Sequence, residues 1–175
     1  MLILETERLL LRHLEMGDLD DLYALYRDPE MRRYFPDGTL DYAETKEEVE
    51  WFLNGHPLHP ELGLWATIHK PDQRFIGRCG LLPWTIDGQD EIEVAYLIDK
   101  AYWRQGLGTE AARAIRDYAF TTLRVPRLVC LIDPENEASI GVAKRIGMTF
   151  DKAAEDEFGP FHLYALTNPQ AGSLH

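Results

Sequence analysis

The sequence lacks the features that mark several specialised classes of protein. Its two cysteines, Cys79 and Cys130, are too few for a disulfide framework, and each stands in an apolar run, so we expect buried free thiols in a reducing compartment. Basic residues (18) are outnumbered by acidic ones (30), and the net charge of −12 argues against nucleic-acid binding. No apolar run approaches the roughly 18 residues that span a bilayer. The N-terminal residues do not follow the pattern of a signal peptide, so the expected location is the cytoplasm.

The rest of the composition is that of a globular protein. Hydrophobic residues make up 45% of the 175 residues and charged residues 27%, with 13 Gly and 10 Pro. A chain of this length can bury about 70% of its unfolded surface in one core. We therefore predict a single domain over residues 1–168, followed by a frayed tail at 169–175.

The hydrophobic pattern predicts an α+β (mixed) fold. Residues 2–14 are expected to form one strand, and helices are expected to begin at about Asp18, acting as N-cap, and at about Tyr42. Further strands are predicted for GLWATIHK, RFIGRCGLLPWTI, IEVAYLI and RLVCLID and for two closing segments, with helices at about 108–123 and 136–146. The helix between IEVAYLI and RLVCLID makes these two strands a parallel pair.

The segment AYWRQGLGTEAARAIRDYAF places two glycines immediately before a predicted amphipathic helix. The first N–H groups of a helix have no partner inside it and the helix dipole makes that end electropositive, so phosphate binds there readily. Gly106 and Gly108 remove the β-carbons that would keep a diphosphate at a distance, and Arg104 adds a charge. The alternative is a tight turn that uses glycine only for its dihedral angles. A Walker A loop is excluded because no Gly-Lys-Ser/Thr is present, and a dinucleotide fold is poorly supported without a third glycine.

The stretches AYLIDKAYWRQGLGTEAARAIRDYAF and LIDPENEASIGVAKRIGM resemble the acyl-coenzyme A binding core of the GNAT superfamily of N-acetyltransferases. The chain is similar in particular to the branch that acetylates the N-terminal amine of ribosomal proteins, as are its opening LETERLLLRHLEMGDLDDLYAL and its closing EFGPFHLYAL. The resemblance implies a GNAT-like fold: a mostly antiparallel, twisted central sheet of about seven strands with one splayed parallel pair, flanked by about four helices. It also implies acetyl-CoA as cosubstrate, an amine as acceptor and a homodimer.

The resemblance further implies which residues hold the coenzyme. Main-chain N–H groups of the glycine loop would bind the diphosphate, with Trp103 standing where the family motif usually has Gln or Arg. Main-chain groups of the preceding strand would pair with the pantetheine arm, as would suit two strands that splay apart. Asn136 matches the asparagine of the next family motif, and on sequence alone it is equally a helix N-cap. The implied coenzyme-binding residues are Leu97, Ile98, Arg104, Gln105, Gly106, Leu107, Gly108, Thr109 and Asn136, and no metal is expected.

Acetyl transfer from a thioester to an amine requires a base, stabilisation of the carbonyl oxygen and an acid for the thiolate. Glu93 is the predicted base because it lies where its strand face turns from charged to apolar, and partial burial raises a carboxyl pKa. An exposed strand glutamate is the alternative. Ser139 occupies the position where the ribosomal branch has a serine near the coenzyme sulfur, although a hydroxyl is also favoured at a helix start. Tyr164 is a further acid candidate because Ala143 replaces the tyrosine of many family members, and a main-chain N–H near Ile98 would polarise the carbonyl.

Two functions remain open on the sequence. The first is an acetyl-CoA-dependent N-acetyltransferase acting on a primary amine by direct attack through a tetrahedral intermediate. The second is a catalytically idle module that binds coenzyme A as a sensor or interaction partner. The acidic charge favours cationic acceptors, such as peptide N-termini, polyamines or aminoglycoside-like amines, without choosing among them. The HPLHP segment is not expected to bind metal because its prolines preclude the helix that would align the two histidines.

Overall fold

The computed structural model describes residues 1–171, which form one eight-stranded mixed sheet with helices on both faces. The strands are β1 (Leu2–Glu5), β2 (Leu9–His13), β3 (Gly63–His69), β4 (Arg74–Ile86), β5 (Gln89–Ile98), β6 (Arg127–Ile132), β7 (Thr149–Asp156) and β8 (Gly159–Thr167). The helices of this part of the chain are α1 (Leu19–Tyr26), α2 (Tyr42–Phe52), α3 (Leu107–Thr121) and α4 (Glu137–Arg145), with 3-10 turns at Met16–Asp18 and Lys100–Tyr102.

The strand order is β1-β2-β3-β4-β5-β6-β8-β7, and only β5 and β6 run parallel. This arrangement confirms the predicted fold class. The sheet has one strand more than the predicted count of about seven because residues 2–14 form two antiparallel strands. The turn between them, Thr6 to Arg8, contains no glycine or proline, so the sequence gives no turn signal there.

Helices cover the two faces of the sheet in pairs, and each pair has its own apolar core. On the α3–α4 face, Leu107, Ala111 and Ile115 are almost completely buried against strand residues such as Val94 and Cys130. On the α1–α2 face, residues from both helices pack against the alternate residues of β5, Ala95 and Leu97 among them. The alternation of β5 residues between two cores explains why its sequence is apolar at nearly every position beyond Glu93.

The N-termini of α1 and α2 are built differently. Asp41 and Glu44 form a capping box at the start of α2, in which each side chain accepts from the other residue's main-chain N–H. Asp18 occupies the N-cap position of α1, as predicted, but its side chain makes no cap hydrogen bond to the helix. Its carboxylate instead accepts two hydrogen bonds of 2.8 Å from Arg12 and one from the main-chain N–H of Glu15.

The end of the described chain is anchored to the sheet. Asn168 is buried, and its side-chain amide donates to the carbonyl oxygens of Phe120 and Val125, at the end of α3. Within the predicted frayed tail, residues 169–171 form a turn after this anchor, and residues 172–175 lie outside the described residues. Cys79 and Cys130 are free and buried, as expected. No helix in residues 1–171 is long and apolar enough to cross a membrane.

Candidate active site

The parallel strands β5 and β6 meet at only one point. A single register pair, Glu93 with Val129, joins them, although β5 continues for five residues after Glu93. Beyond this pair the carbonyl of Val94 accepts from the thiol of Cys130 (3.3 Å) rather than from a main-chain N–H. The strands therefore open a gap toward the C-terminal end of β5, as predicted for a splayed pair.

Main-chain groups of alternate β5 residues face this gap. The carbonyl of Leu97 points toward β4, because a β-carbon added to Gly77 of that strand would lie only 1.9 Å from the Leu97 carbonyl oxygen. Because the main-chain groups of successive strand residues point in opposite directions, those of Ile98 face β6 instead. The carbonyl of Ile98 already accepts a hydrogen bond from the indole N–H of Trp103 (2.7 Å). The main-chain N–H of Ile98 is therefore the group that can bind a ligand in the gap. Of the two strand residues predicted to pair with the coenzyme, the structure favours Ile98.

The two glycines of the loop before α3 serve different purposes. Gly106 is the N-cap of α3 and has φ of 77°, a left-handed conformation that favours glycine. Gly108 lies inside the helix, and a β-carbon there would meet only a methyl group of Val142 at 3.9 Å, an ordinary contact. The fold thus needs glycine at 106 but not at 108. A bare backbone at 108 leaves the start of α3 open to a ligand.

The other loop residues surround a cleft of about 600 Å³ beside the start of α3. Arg104, with φ of 61°, and Thr109 line it together with Gly106. Gln105 is exposed, and its carbonyl accepts from Arg8 (2.9 Å), whereas Leu107 is buried and holds the loop to the core. The cleft is large enough for part of a nucleotide, and we call it the arginine cleft because Arg8, Arg113 and Arg145 complete its basic lining.

Glu93 lies on the α1–α2 face, next to the gap. It is half-buried, and the indole N–H of Trp84 donates to its carboxylate at 2.6 Å. Burial raises the pKa of Glu93 to about 7, against the opposing effects of the Trp84 hydrogen bond, the charge of Arg78 and the main-chain amide of Leu131. No salt bridge within residues 1–171 involves Glu93. The geometry therefore favours a partly desolvated carboxylate over an ordinary exposed strand glutamate.

Glu91, two residues earlier on the same face, shows the contrast. It is buried, but its carboxylate accepts two hydrogen bonds from Arg127 at 3.1 and 3.2 Å. Arg127 also pairs with Asp151. Because Glu91 is held by a cation and, within the described residues, Glu93 is not, Glu93 is the better suited of the two strand glutamates to act as a base.

Ser139 lies on the opposite face of the sheet, in the first turn of α4. Its hydroxyl is 2.9 Å from that of Tyr96, which also donates to the carbonyl of Ser139 at 2.9 Å. Burial raises the pKa of Tyr96 well above its usual value, so this hydroxyl stays protonated. Tyr96 is not among the residues predicted for the site. Its position in β5, three residues after Glu93 and therefore on the other face, is the signal that could have found it.

The remaining candidates fall into structural roles that the sequence left open. Asn136 is the N-cap of α4 and accepts from the N–H of Ser139 at 3.2 Å, which leaves its amide N–H₂ group for a further partner. Tyr164 is buried in the core of the α3–α4 face, in register with Cys130, and its ring packs edge-on against Phe150 at 5.8 Å. Ser139 is thus better placed than Tyr164 at the gap.

A model of the acetyltransferase (GNAT) domain matches residues 8–149, which is most of the chain and includes both β5 and the glycine loop. The chain belongs to the GNAT acetyltransferase family. The predicted family is therefore confirmed, and the protein is an acyltransferase.

Known relatives of this acetyltransferase span nearly its whole length. An uncharacterized protein of Bacillus subtilis, YkkB, is 35% identical over 162 residues, covering 92% of this chain and 93% of the relative. Among solved structures, ribosomal-protein-S5-alanine acetyltransferase from Vibrio fischeri superposes with a TM-score of 0.72 at 17% identity, covering 95% of this chain and 96% of the other. Spermidine N-acetyltransferase from Vibrio cholerae, in complex with CoA and spermine, gives 0.75 at 16% identity, with coverages of 95% and 99%. At these identities the two structures show the fold, not the acceptor.

The residues of this acetyltransferase fit a coenzyme across the gap. The start of α3 presents unpartnered main-chain N–H groups next to a glycine that the fold itself does not require. The arginine cleft adjoins that loop, and the N–H of Ile98 faces the gap from β5. Within residues 1–171 no group of three or more His, Cys, Asp or Glu side chains is arranged to hold a metal ion.

Proposed function

We propose that this acetyltransferase transfers the acetyl group of acetyl-CoA to a primary amine, with Glu93 as the base and Ser139 as the acid. The observation that carries the proposal is the position of these two groups. Glu93 lies on the α1–α2 face and Ser139 on the α3–α4 face, and the gap between β5 and β6 lies between them. A thioester in this gap would meet one group on each side of the sheet.

The coenzyme would bind on the α3–α4 face. The N–H groups of Gln105 to Thr109 would hold its diphosphate, and Arg104 would add a positive charge. The pantetheine arm would run toward the gap and pair with the main chain of Ile98, with Leu97 and Asn136 as further contacts. The N–H of Ile98 would then lie close to the thioester carbonyl and stabilise the negative charge that forms on its oxygen.

The amine would approach from the α1–α2 face. A free α-amino group has a pKa near ~8 and a lysine-like amine near ~10.4, so most of the acceptor is protonated at neutral pH. The carboxylate of Glu93, with a pKa of about 7, can accept that proton directly or through water. The neutral amine then attacks the thioester carbon. As the tetrahedral intermediate collapses, the C–S bond breaks and the departing thiolate takes a proton from the hydroxyl of Ser139. The proton that the attacking nitrogen loses as the amide forms returns to Ser139 through water, so the hydroxyl is restored. Tyr96 would hold that hydroxyl in place.

Charge supports a cationic acceptor. Glu93 has no ion-pair partner within the described residues, and the chain as a whole carries a net charge of −12. The turn at Asp87–Gly88 and the turn between β7 and β8 flank the open part of the α1–α2 face, where Phe161 and Leu163 lie next to Val129. Peptide N-termini and polyamines both fit this description.

The proposal is tested by a thiol-release assay with acetyl-CoA and a panel of peptides, polyamines and aminoglycosides. Turnover of at least one amine, lost in Glu93→Gln with coenzyme affinity unchanged, is the expected result. Tight binding of coenzyme A without turnover across the panel would instead favour the idle coenzyme-binding module. Acetyl transfer by Glu93→Gln at the wild-type rate and with the wild-type pH profile would remove Glu93 as the base.

A further inference from the structure

The arginine cleft presents several arginine side chains in addition to the main-chain N–H groups proposed to hold the diphosphate of the coenzyme. Its lining has the four arginines Arg8, Arg104, Arg113 and Arg145, against the two glutamates Glu7 and Glu110. We infer that Arg113 and Arg145 bind the 3′-phosphate on the ribose of coenzyme A, so that the enzyme distinguishes coenzyme A from its dephosphorylated form. This inference rests on the proposed function, since it concerns the same cosubstrate.

Arg8 is occupied in holding the cleft together. Its Nε donates to Glu110 at 2.7 Å and its Nη1 to the carbonyl of Gln105 at 2.9 Å. Glu110 also accepts from the main-chain N–H of Arg8 and from the hydroxyl of Thr6 (2.6 Å). Arg8 and Glu110 therefore neutralise each other and fix the wall of the cleft. The arginines of the cleft that remain able to attract an anion are Arg104, Arg113 and Arg145.

Those three arginines have no acidic partner within residues 1–171. None of the salt bridges or side-chain hydrogen bonds of this part of the chain involves Arg104, Arg113 or Arg145. In contrast, Arg116, which follows Arg113 by about one turn of α3, pairs with Asp117 and donates to the carbonyl of Ile146. Glu7 is the one other acidic residue that lines the cleft in the described part of the chain, and it forms no ion pair with the three arginines. In a chain with 30 acidic residues, three arginines around one cleft that form no ion pair within the described residues indicate a site for an anion that comes from outside the protein.

The arginines come from three elements, and each is placed by its element. Arg104 belongs to the loop, and Arg113 lies one helical turn after Thr109, on the side of α3 that faces the cleft. Arg145 is the last residue of α4, and its side chain runs back along the helix to Gly141, where a β-carbon would lie 3.2 Å from its Nη1. A cation that served only the dipole of α4 would lie over its last carbonyls. Gly141 instead leaves room for Arg145 to reach the cleft.

The geometry assigns the two phosphate groups of coenzyme A to different parts of the cleft. The diphosphate has the main-chain N–H groups at the start of α3 and the nearby Arg104. Arg113 and Arg145 belong to α3 and α4 rather than to the loop, and both line the same cleft, which suits a second anion attached to the same nucleotide. A phosphate dianion suits a pair of guanidinium ions, because each can donate two parallel hydrogen bonds to it.

Calorimetric titration with coenzyme A and with dephospho-coenzyme A tests the inference by binding alone. We expect the wild type to bind coenzyme A about tenfold or more tightly than the dephosphorylated form, which corresponds to the loss of one charged hydrogen-bonded contact. In Arg113→Gln combined with Arg145→Gln, this preference should disappear while affinity for dephospho-coenzyme A stays at the wild-type value. Arg124→Gln, an exposed arginine beyond the other end of α3, is the matched control and should keep the preference.

The outcomes separate the two proposals. Equal affinity of the wild type for the two coenzymes, or an undiminished preference in the double variant, would overturn the role of Arg113 and Arg145 and leave the proposed function intact. Failure of the wild type to bind either coenzyme would overturn both. Circular dichroism of the double variant checks that it is folded, and its unchanged affinity for dephospho-coenzyme A is a second control on the integrity of the loop.

Discussion

The two faces of the sheet recognise their ligands by different means. On the α3–α4 face, the proposed coenzyme site uses main-chain N–H groups, two glycines with distinct purposes and arginines without partners. On the α1–α2 face, the proposed acceptor site depends on one partly desolvated carboxylate, Glu93, and the side chains around it. The first kind of site demands particular residues at fixed spacing, whereas the second can be assembled from many sequences. This difference explains why the donor of the acetyl group is more readily inferred than its acceptor.

The largest expected effect is on the α3–α4 face, at Gly108. We expect Gly108→Trp to weaken coenzyme A binding by at least about 100-fold, since the indole would occupy the space in which the diphosphate approaches the loop. Gly108→Ala is the informative companion, because alanine is favoured over glycine inside a helix by up to about 1 kcal/mol and the fold has room for its methyl group. Thermal melting should show Gly108→Ala to be at least as stable as the wild type, while calorimetry shows a loss of affinity. Full affinity in both variants would mean that the diphosphate binds elsewhere.

Some elements of the α3–α4 face could be predicted from the sequence because their signals are local. The glycine loop, the helix after it and the N-cap at Asn136 all follow from neighbouring residues. Contacts between distant segments were not predictable in this way. The bond from Trp84 to Glu93 depends on the register of β4 against β5, and the neutralisation of Glu91 depends on Arg127 in a strand 36 residues later. The side-chain partner of Asp18 was not predictable for the same reason, since Arg12 belongs to a strand and not to the helix that follows.

The next largest effect concerns the base on the α1–α2 face. We expect the wild-type rate to rise as the pH increases through about 7, and Glu93→Gln should remove this rise and lower kcat by about 100-fold. Steady-state kinetics from pH 5.5 to 9 measure kcat and its pH dependence. Glu91→Gln serves as a comparison on the same face, because the wild-type Glu91 carboxylate is paired with Arg127. Retention of the rising limb in Glu93→Gln would assign it to another group.

Glu93→Gln, which should lower activity, should raise the stability of the folded protein at alkaline pH. The folded-state pKa of Glu93 lies above the usual value for a glutamate, so the folded protein is relatively stabilised below about pH 4.5 and loses that advantage as the pH rises through about 7. We expect Glu93→Gln to be more stable than the wild type by about 1–2 kcal/mol at pH 8, after allowance for the partial exposure of the carboxyl, and little different at pH 5. Chemical denaturation at the two pH values measures the difference. Equal stability at pH 8 would show that the carboxyl is well solvated.

A smaller effect is expected at the acid on the opposite face. Ser139→Ala should lower kcat by about tenfold and leave the pH dependence near 7 in place, because the proton acceptor on the other face is untouched. Tyr96→Phe removes the hydroxyl that holds Ser139 and should produce part of the same loss. A double variant no slower than Ser139→Ala alone would show that the two hydroxyls act as a unit. Wild-type kcat in Ser139→Ala would leave the thiolate to be protonated by another group.

The smallest effect should come from Trp84, which supports Glu93 without contacting the coenzyme. Its indole N–H lowers the pKa of Glu93, so Trp84→Phe should move the rising limb of the pH profile to higher pH while the plateau of kcat remains close to the wild-type value. An unshifted limb would mean that this hydrogen bond contributes nothing in solution. Trp51→Phe, an exposed tryptophan on α2, controls for the general loss of an indole.

The hydrogen bonds that join Thr6 and Arg8 to Glu110 tie the first turn of the polypeptide to a helix that begins about a hundred residues later. The ribosome synthesises these partners at very different times. The nascent chain therefore cannot complete the arginine cleft until α3 has been synthesised and has packed against the turn between β1 and β2. Disruption of these hydrogen bonds would accordingly be felt first at the proposed nucleotide site.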